Sequence, residues 1–244
     1  MALFTEERVR QMSNNGTRGP VVITGGDVLT PSARSWLREH RVEVVFPQGG
    51  EKGSGASAPK YRTLFGATLE EKPEHMTHLK GNILVLKDHP RILFRGCIDL
   101  LEAEILLAQQ AAAGEGYESL CGELEQVLDF VRHCIRFDVL DEPVGELRLC
   151  GYGPDELREQ SHYPEQYFGQ PHFMVHWTDG PAMLALNKVR TVVRQTELAA
   201  YRAFRDENGA VEREDLILAL NRLSSLMWIM MIKQKAGKYP KKGR

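Results

Sequence analysis

Arg190 and Arg194 stand one helical turn apart, with Asn187 three residues before them and Glu197 three residues after. On a helix that spacing stacks four polar side chains along one face, while Met183, Leu186, Val189 and Val193 cover much of the remainder. Two guanidinium groups held a turn apart can grip an anion bidentately; an interhelical salt-bridge ladder would use the same pattern. A second cationic cluster runs Lys87-Asp88-His89-Pro90-Arg91, continues through Arg95-Gly96 to Asp99, and leads into an apolar-patterned helix. A basic loop emptying into a helical bundle suits a polyphosphate. The third feature is Asn221, flanked by Leu220 and Leu223 in the most apolar stretch of the chain, with Arg222 beside it and Ser225 one turn on. An amide in such a helix is satisfied by another helix or by a ligand, and setting the register of a bundle is its other use.

The elements that must carry these residues are mostly helices. Ile98, Leu101, Ile105, Ala108 and Ala112 recur at three and four residues and end at Gly114 and Gly116; Leu120, Leu124, Val127, Val131 and Cys134 do the same. Two more long helices are predicted, about Pro181 to Arg205 and about Val211 to Lys235, divided by the turn pair Asn208-Gly209. The last is apolar nearly all round, which places it at the centre of a bundle. The stretch from Pro143 to Gly180 reads as loop with one short helix around Asp155 to Gln160, and helical periodicity is expected from Lys72 onward. Ahead of it, residues 1–14 predict a short amphipathic helix. Val21-Val22-Ile23, a Gly25-Gly26 turn, a helix opened by Thr30-Pro31 and a strand over Val42 to Phe46 then predict a small β-α-β element. Gly49 to Pro59 has a flexible linker's composition, so the expected domains are 1–60 and 61–244. The tail from Lys233 to Arg244 holds six cations and is expected to be solvated.

With 31 basic and 33 acidic residues the formal net charge is −2, so no chain-wide field draws nucleic acid or an anionic membrane, and any phosphate affinity is local. Cys97, Cys121, Cys134 and Cys150 form no CxxC pair and read as reduced core residues of a cytoplasmic protein. The longest apolar run, Leu226 to Ile232, is too short to span a bilayer. His75 with His78, and His172 with His176, lack a third nearby ligand and read as hydrogen-bonding loop histidines.

The three polar segments, in this order, resemble the ATP:cob(I)alamin adenosyltransferases of the propanediol-utilisation type. Lys87 to Asp99 is similar to that family's opening loop and helix, Arg190-Thr191-Val192-Val193-Arg194 with Glu197 to its arginine helix, and Leu220-Asn221-Arg222-Leu223-Ser224 to its closing helix. Lys72-Pro73-Glu74-His75-Met76-Thr77-His78-Leu79, the Thr30-Pro31-Ser32-Ala33-Arg34 opening and the ending through Ser225 and Met230-Met231-Ile232 resemble the ethanolamine-utilisation branch more closely. The resemblance implies a mainly α fold, a five-helix bundle with the small β-α-β element in front, and ATP bound where subunits meet. It implies that Lys87 and Arg91 bind phosphate, that Asp99 pairs with Arg190 across the interface, that Arg194 holds the triphosphate, and that Glu197 and Asn221 line the nucleotide site. ATP and cobalamin are then the substrates, with Mg²⁺ as cofactor. The expected assembly is a homo-oligomer, a trimer in preference to a dimer. An electron donor and a microcompartment shell are its further expected partners.

Three positions depart from the pattern: Gln195 stands in place of a second arginine, Glu102 in place of an Asn, and Ser225 in place of an Asp. The glycine-rich phosphate loop of the propanediol type is replaced by His75 to Leu79. Some ethanolamine-branch members carry a His- and Cys-rich metal site, whereas Arg41 to Glu74 holds neither residue type, so no transition-metal site is expected. In the implied reaction cob(I)alamin attacks the ribose 5′ carbon of ATP, and forming cob(I) requires loss of the lower cobalt ligand. An apolar wedge would expel it, with Phe173 as first candidate, Phe168 and Trp177 as rivals, and core packing as the other use of each. A non-catalytic corrinoid carrier would keep an apolar pocket and have no use for the arginine stripe; a purely structural bundle docking on a shell through its N-terminal helix would need neither.

Overall fold

The computed structural model describes residues 3–14, 21–22, 28–40, 42, 44–45 and 60–242. Two compact units divide between Val85 and Leu86.

In the first unit, β1 (Leu3–Phe4) pairs in parallel with β3 (Val28–Leu29), and β2 (Val21–Val22) with β4 (Val44–Val45). Between them run α1 (Glu6–Asn14) and α2 (Pro31–Glu39), and Phe4, Val9, Val21, Ala33 and Leu37 make a small core. Helix α1 begins only at Glu6 because Leu3 and Phe4 extend to meet Val28 and Leu29. The Thr30 hydroxyl accepts the Ala33 N–H at 3.3 Å and Pro31 fills the first turn, so α2 starts where its capping residues predict. Ile23, Gly25-Gly26, Phe46 and the Gly49 to Pro59 stretch lie outside the described residues.

A four-stranded sheet follows, with β5 (Tyr61–Thr63), β6 (Thr68–Leu69), β7 (Met76–Lys80) and β8 (Ile83–Leu86) in the order β6-β5-β8-β7. The helical periodicity expected from Lys72 is therefore absent: Gly81, at φ +54°, and Asn82 turn β7 into β8, and Leu79, Leu84 and Val85 are buried. A two-residue Gly-Asn loop between apolar runs is a hairpin signal, and here it prevails over the weak helical pattern.

The second unit is helical. Helix α3 (Pro90–Gly114) packs on α4 (Glu118–Val139) and α7 (Pro181–Phe204), α7 packs on α8 (Glu214–Lys235), and α5 (Pro154–His162), followed by the short α6 (Pro164–Phe168), lies against α8. Phe94, Ile98, Leu101, Ile105, Ala108 and Ala112 form the buried stripe of α3. Burying one Leu or Ile contributes about 2 kcal/mol, so such a stripe pins the rotation of the helix and hence the direction of every polar residue on it. His89 caps α3 by accepting the Arg91 N–H on Nδ1 at 3.2 Å. Burial, and then the Arg91 and Arg95 charges, lower its pKa and favour the neutral ring that can accept. Helix α8 is long and apolar enough to cross a membrane by length and composition, yet Leu216, Leu220, Leu223, Leu226, Met227 and Ile229 through Ile232 are buried in the bundle.

The cationic tail departs from expectation. Tyr239 is buried and donates its hydroxyl to Glu123 at 2.6 Å, Lys233 pairs with the same carboxylate, and the Lys242 N–H donates to the Gly116 carbonyl at 3.0 Å. One aromatic side chain in the middle of the tail has enough apolar surface to dock it over the start of α4.

Candidate functional site

Helices α7 and α8 run side by side and bring two polar stripes into one seam. On α7 the three-and-four spacing presents Asn187, Arg190 and Arg194; on α8 Ser224 and Ser225 stand four and three residues before Trp228 and share its face. The segment after α5 closes the third side with His172 and Phe173, leaving a cavity of about 510 Å³.

Its electrostatics are one-sided. Arg190 and Arg194 line the cavity, and among the described residues no carboxylate does. The Arg190 Nε is buried with no hydrogen-bond partner among the described residues, and the guanidinium lies over the Trp228 ring at 5.4 Å. Burial, and then the neighbouring Arg194 charge, lower the Arg190 pKa, both signs of a cation without an anion. A buried donor left unpaired is costly, and an oxyanion entering the cavity would relieve it. Arg194 is exposed at the mouth.

One turn further along the seam, the Asn221 amide donates to Glu197 at 2.9 Å, and Arg222 donates to the Asn221 carbonyl oxygen at 2.6 Å. Asn221 is exposed, not buried as its apolar neighbours suggest, because α8 turns this one strip out of the bundle. Its partner comes from another helix, the first of the two alternatives open in the sequence.

The residues from the start of α3 do not reach this cavity within one chain. Lys87 is exposed ahead of α3. Arg91 donates from Nε to the Asp138 carboxylate at 2.6 Å and lies 3.4 Å from Asp141, while Arg95 takes the other Asp138 oxygen. Asp138 is fully buried, so this triad ties α3 to the end of α4. Asp99 is exposed and, among the described residues, has no hydrogen-bond or ion-pair partner.

Of the three candidate aromatic wedges, Phe173 lines the cavity and stacks on Trp228 at 5.1 Å. Phe168 packs against the core, and Trp177, in a single 3-10 turn, is 77% exposed; neither lines the cavity. Trp228 escaped the sequence reading because it sits in a helix apolar nearly all round, where a tryptophan reads as core. The signal that finds it is the spacing Asn221, Ser225, Trp228, the same rule that picked out the α7 stripe.

The histidines have local partners: the His78 ring bonds the Gly81 carbonyl at 3.0 Å, His172 the His162 carbonyl at 3.2 Å, and His176 the Thr178 hydroxyl at 2.8 Å. Among the described residues no group of three His, Cys, Asp or Glu could hold a metal ion.

Residues 67–234 match the cobalamin adenosyltransferase family. Among curated proteins the chain is similar to the corrinoid adenosyltransferase EutT of Salmonella typhimurium strain LT2, 31% identical over 221 residues that cover 84% of this chain and 81% of the relative. The protein of the same name from Escherichia coli strain K12 is 29% identical with the same coverage.

Proposed function

Because the chain belongs to the cobalamin adenosyltransferase family, we propose that the α7–α8 seam is where it holds the triphosphate of ATP. The protein is an ATP:cob(I)alamin adenosyltransferase of the ethanolamine-utilisation branch. Cobalt(I) supplies the electron pair that forms the bond to the ribose 5′ carbon, the C5′–O bond breaks, and triphosphate departs with the electrons of that bond. The corrinoid is itself the nucleophile, so the protein need supply no general base. Its work is to align the two reactants and to stabilise the charge gathering on the leaving group.

The observation that carries the assignment is Arg190: a half-buried guanidinium whose Nε is buried and unpartnered among the described residues, beside Arg194 in a cavity that no described carboxylate lines. Arg190 and Arg194 hold the triphosphate, and Glu197 with Asn221 lines the nucleoside end of the same seam. Phe173, on the cavity's third side, acts as the wedge at the lower face of the corrin. The exposed Asp99 pairs with Arg190 of a neighbouring protomer in a homo-oligomer, taken as a trimer, and Lys87 reaches the phosphates across that boundary. Arg91, committed to Asp138, holds the first turn of α3 in place for it. Among the described residues, those that line the cavity in one chain offer Mg²⁺ no carboxylate.

On this reading α3, α4, α5, α7 and α8 are the five-helix bundle of the family, preceded by a β-α-β element. The protein works in the cytoplasm, in association with a microcompartment, and receives electrons from a separate donor.

The test is a spectral assay of adenosylcobalamin formation from ATP and chemically reduced cobalamin. Arg194→Ala should lower turnover at least about a hundredfold, the cost of one transition-state donor, and leave corrinoid binding intact. Phe173→Ala should slow the reaction that starts from cob(II)alamin and spare the one that starts from cob(I)alamin. Wild-type turnover by Arg194→Ala would overturn the triphosphate assignment, and corrinoid binding without any turnover by the unaltered protein would favour a carrier.

A further inference from the structure

Trp228 touches three groups of different chemistry. The Arg190 guanidinium carbon lies 5.4 Å from the indole centroid. The Phe173 ring stacks on it at 5.1 Å and 26°, and the His172 ring at 5.8 Å and 9°. Among the described residues the Arg190 side chain makes no hydrogen bond and no ion pair, so within one chain the indole face is the contact that orients its guanidinium, which Asp99 of a neighbouring protomer joins in the proposed assembly. Phe173 is held from a second direction as well. Lys235, seven residues on and so on the same face of α8, places its ammonium 5.5 Å from the Phe173 ring and pairs with Asp179.

We propose that Trp228 is a positioning residue of the adenosyl transfer, whose indole orients the Arg190 guanidinium toward the triphosphate and seats the Phe173 ring at the same time. A tryptophan suits both tasks, since its extended π face attracts a guanidinium more strongly than Phe or Tyr and offers enough area for a second ring. A merely apolar side chain of similar bulk would fill the space and orient neither neighbour. The inference rests on the assignment of Arg190 and Phe173 above.

Trp228→Met keeps an apolar side chain, smaller than the indole, and removes the ring; Trp228→Phe retains a ring. Trp228→Met should raise the KM for ATP and the inhibition constant of inorganic triphosphate about tenfold, the scale of a desolvated cation–π contact. It should also slow the reaction from cob(II)alamin, while Trp228→Phe stays within about threefold on both measures. In an Arg190→Met background Trp228→Met should add nothing to the KM for ATP. An unchanged KM in folded Trp228→Met, full additivity with Arg190→Met, or equal damage from Phe and Met would each overturn the proposal.

Should Trp228→Met fail to fold, the wild-type protein labelled with 5-fluorotryptophan provides the readout. Its three tryptophans give separate fluorine signals, and Trp228→Phe identifies one of them. That signal should shift on titration with inorganic triphosphate and stay still in Arg190→Met; no shift at saturation would overturn the proposal. Unaltered triphosphate binding by Arg190→Met would refute instead the reading on which the inference rests.

Discussion

Arg91 and Arg194 carry the same charge and meet opposite surroundings. Arg194 is exposed at the cavity mouth, free to meet a ligand. Arg91 spends its guanidinium on a carboxylate with no exposure at all. Removing one donor from such a group leaves part of its charge unmatched, which costs on the order of 2 kcal/mol for a charged hydrogen bond. Arg91→Ala should therefore lower the unfolding free energy by that amount and the urea midpoint with it, whereas Arg194→Ala should leave the midpoint unchanged. Equal midpoints for wild type and Arg91→Ala would mean that Arg95 alone satisfies Asp138. Nothing in the local sequence separates the two arginines, because each sits at helical spacing near apolar residues; what separates them is Asp138, forty-seven positions from Arg91.

At the scale of elements, the four long helices were legible from apolar spacing, α2 from its Thr-Pro start, and α5 only as one short helix within a stretch read as loop. The β7–β8 hairpin and the docked tail were not. In both cases a few residues outweigh the average composition: Gly81-Asn82 in the first, Tyr239 in the second. Deleting residues 238–244 removes the buried Tyr239 ring and its bond to Glu123, together with the Lys242 contacts to Gly116 and Glu118. The loss should be about 3 kcal/mol, and the melting temperature should fall by about 5–10 °C in calorimetry. Burial, and then the Glu123 carboxylate, raise the Tyr239 pKa above its ordinary value. The folded phenol thus keeps its proton more tightly than the unfolded one, so this contribution is complete below about pH 10 and declines as pH rises further. A tail-deleted protein with the wild-type melting temperature would show that the docked tail is ornamental.

For the whole molecule, the outer face of α3 carries Leu93, Leu100 and Leu107, each about half exposed and seven residues apart, with Asp99 beside the middle one. Leucines at that interval form an apolar seam along a helix. Under the proposed assembly this seam is covered by a neighbouring protomer, which also brings Asp99 to Arg190. Leu100→Glu should then convert the oligomer to monomer in light scattering and abolish turnover, with the far-ultraviolet dichroism of the helices unchanged. A monomeric wild-type protein with full activity would contradict the shared site.

The sequence by itself determined the helical class, the order of the long helices and the α7 polar stripe, because periodicity along one helix is a local property that burial merely reads out. It also carried the family resemblance, since the arginine, asparagine and glutamate positions are spaced by helix geometry. Only the tertiary structure decided that the α7 and α8 stripes face one another, that Arg91 turns to Asp138, and that Trp228, packed against the core, also lines the cavity. Those outcomes depend on which helix lies against which, and the angle of rotation of each about its axis is set by the packing of side chains far apart along the chain.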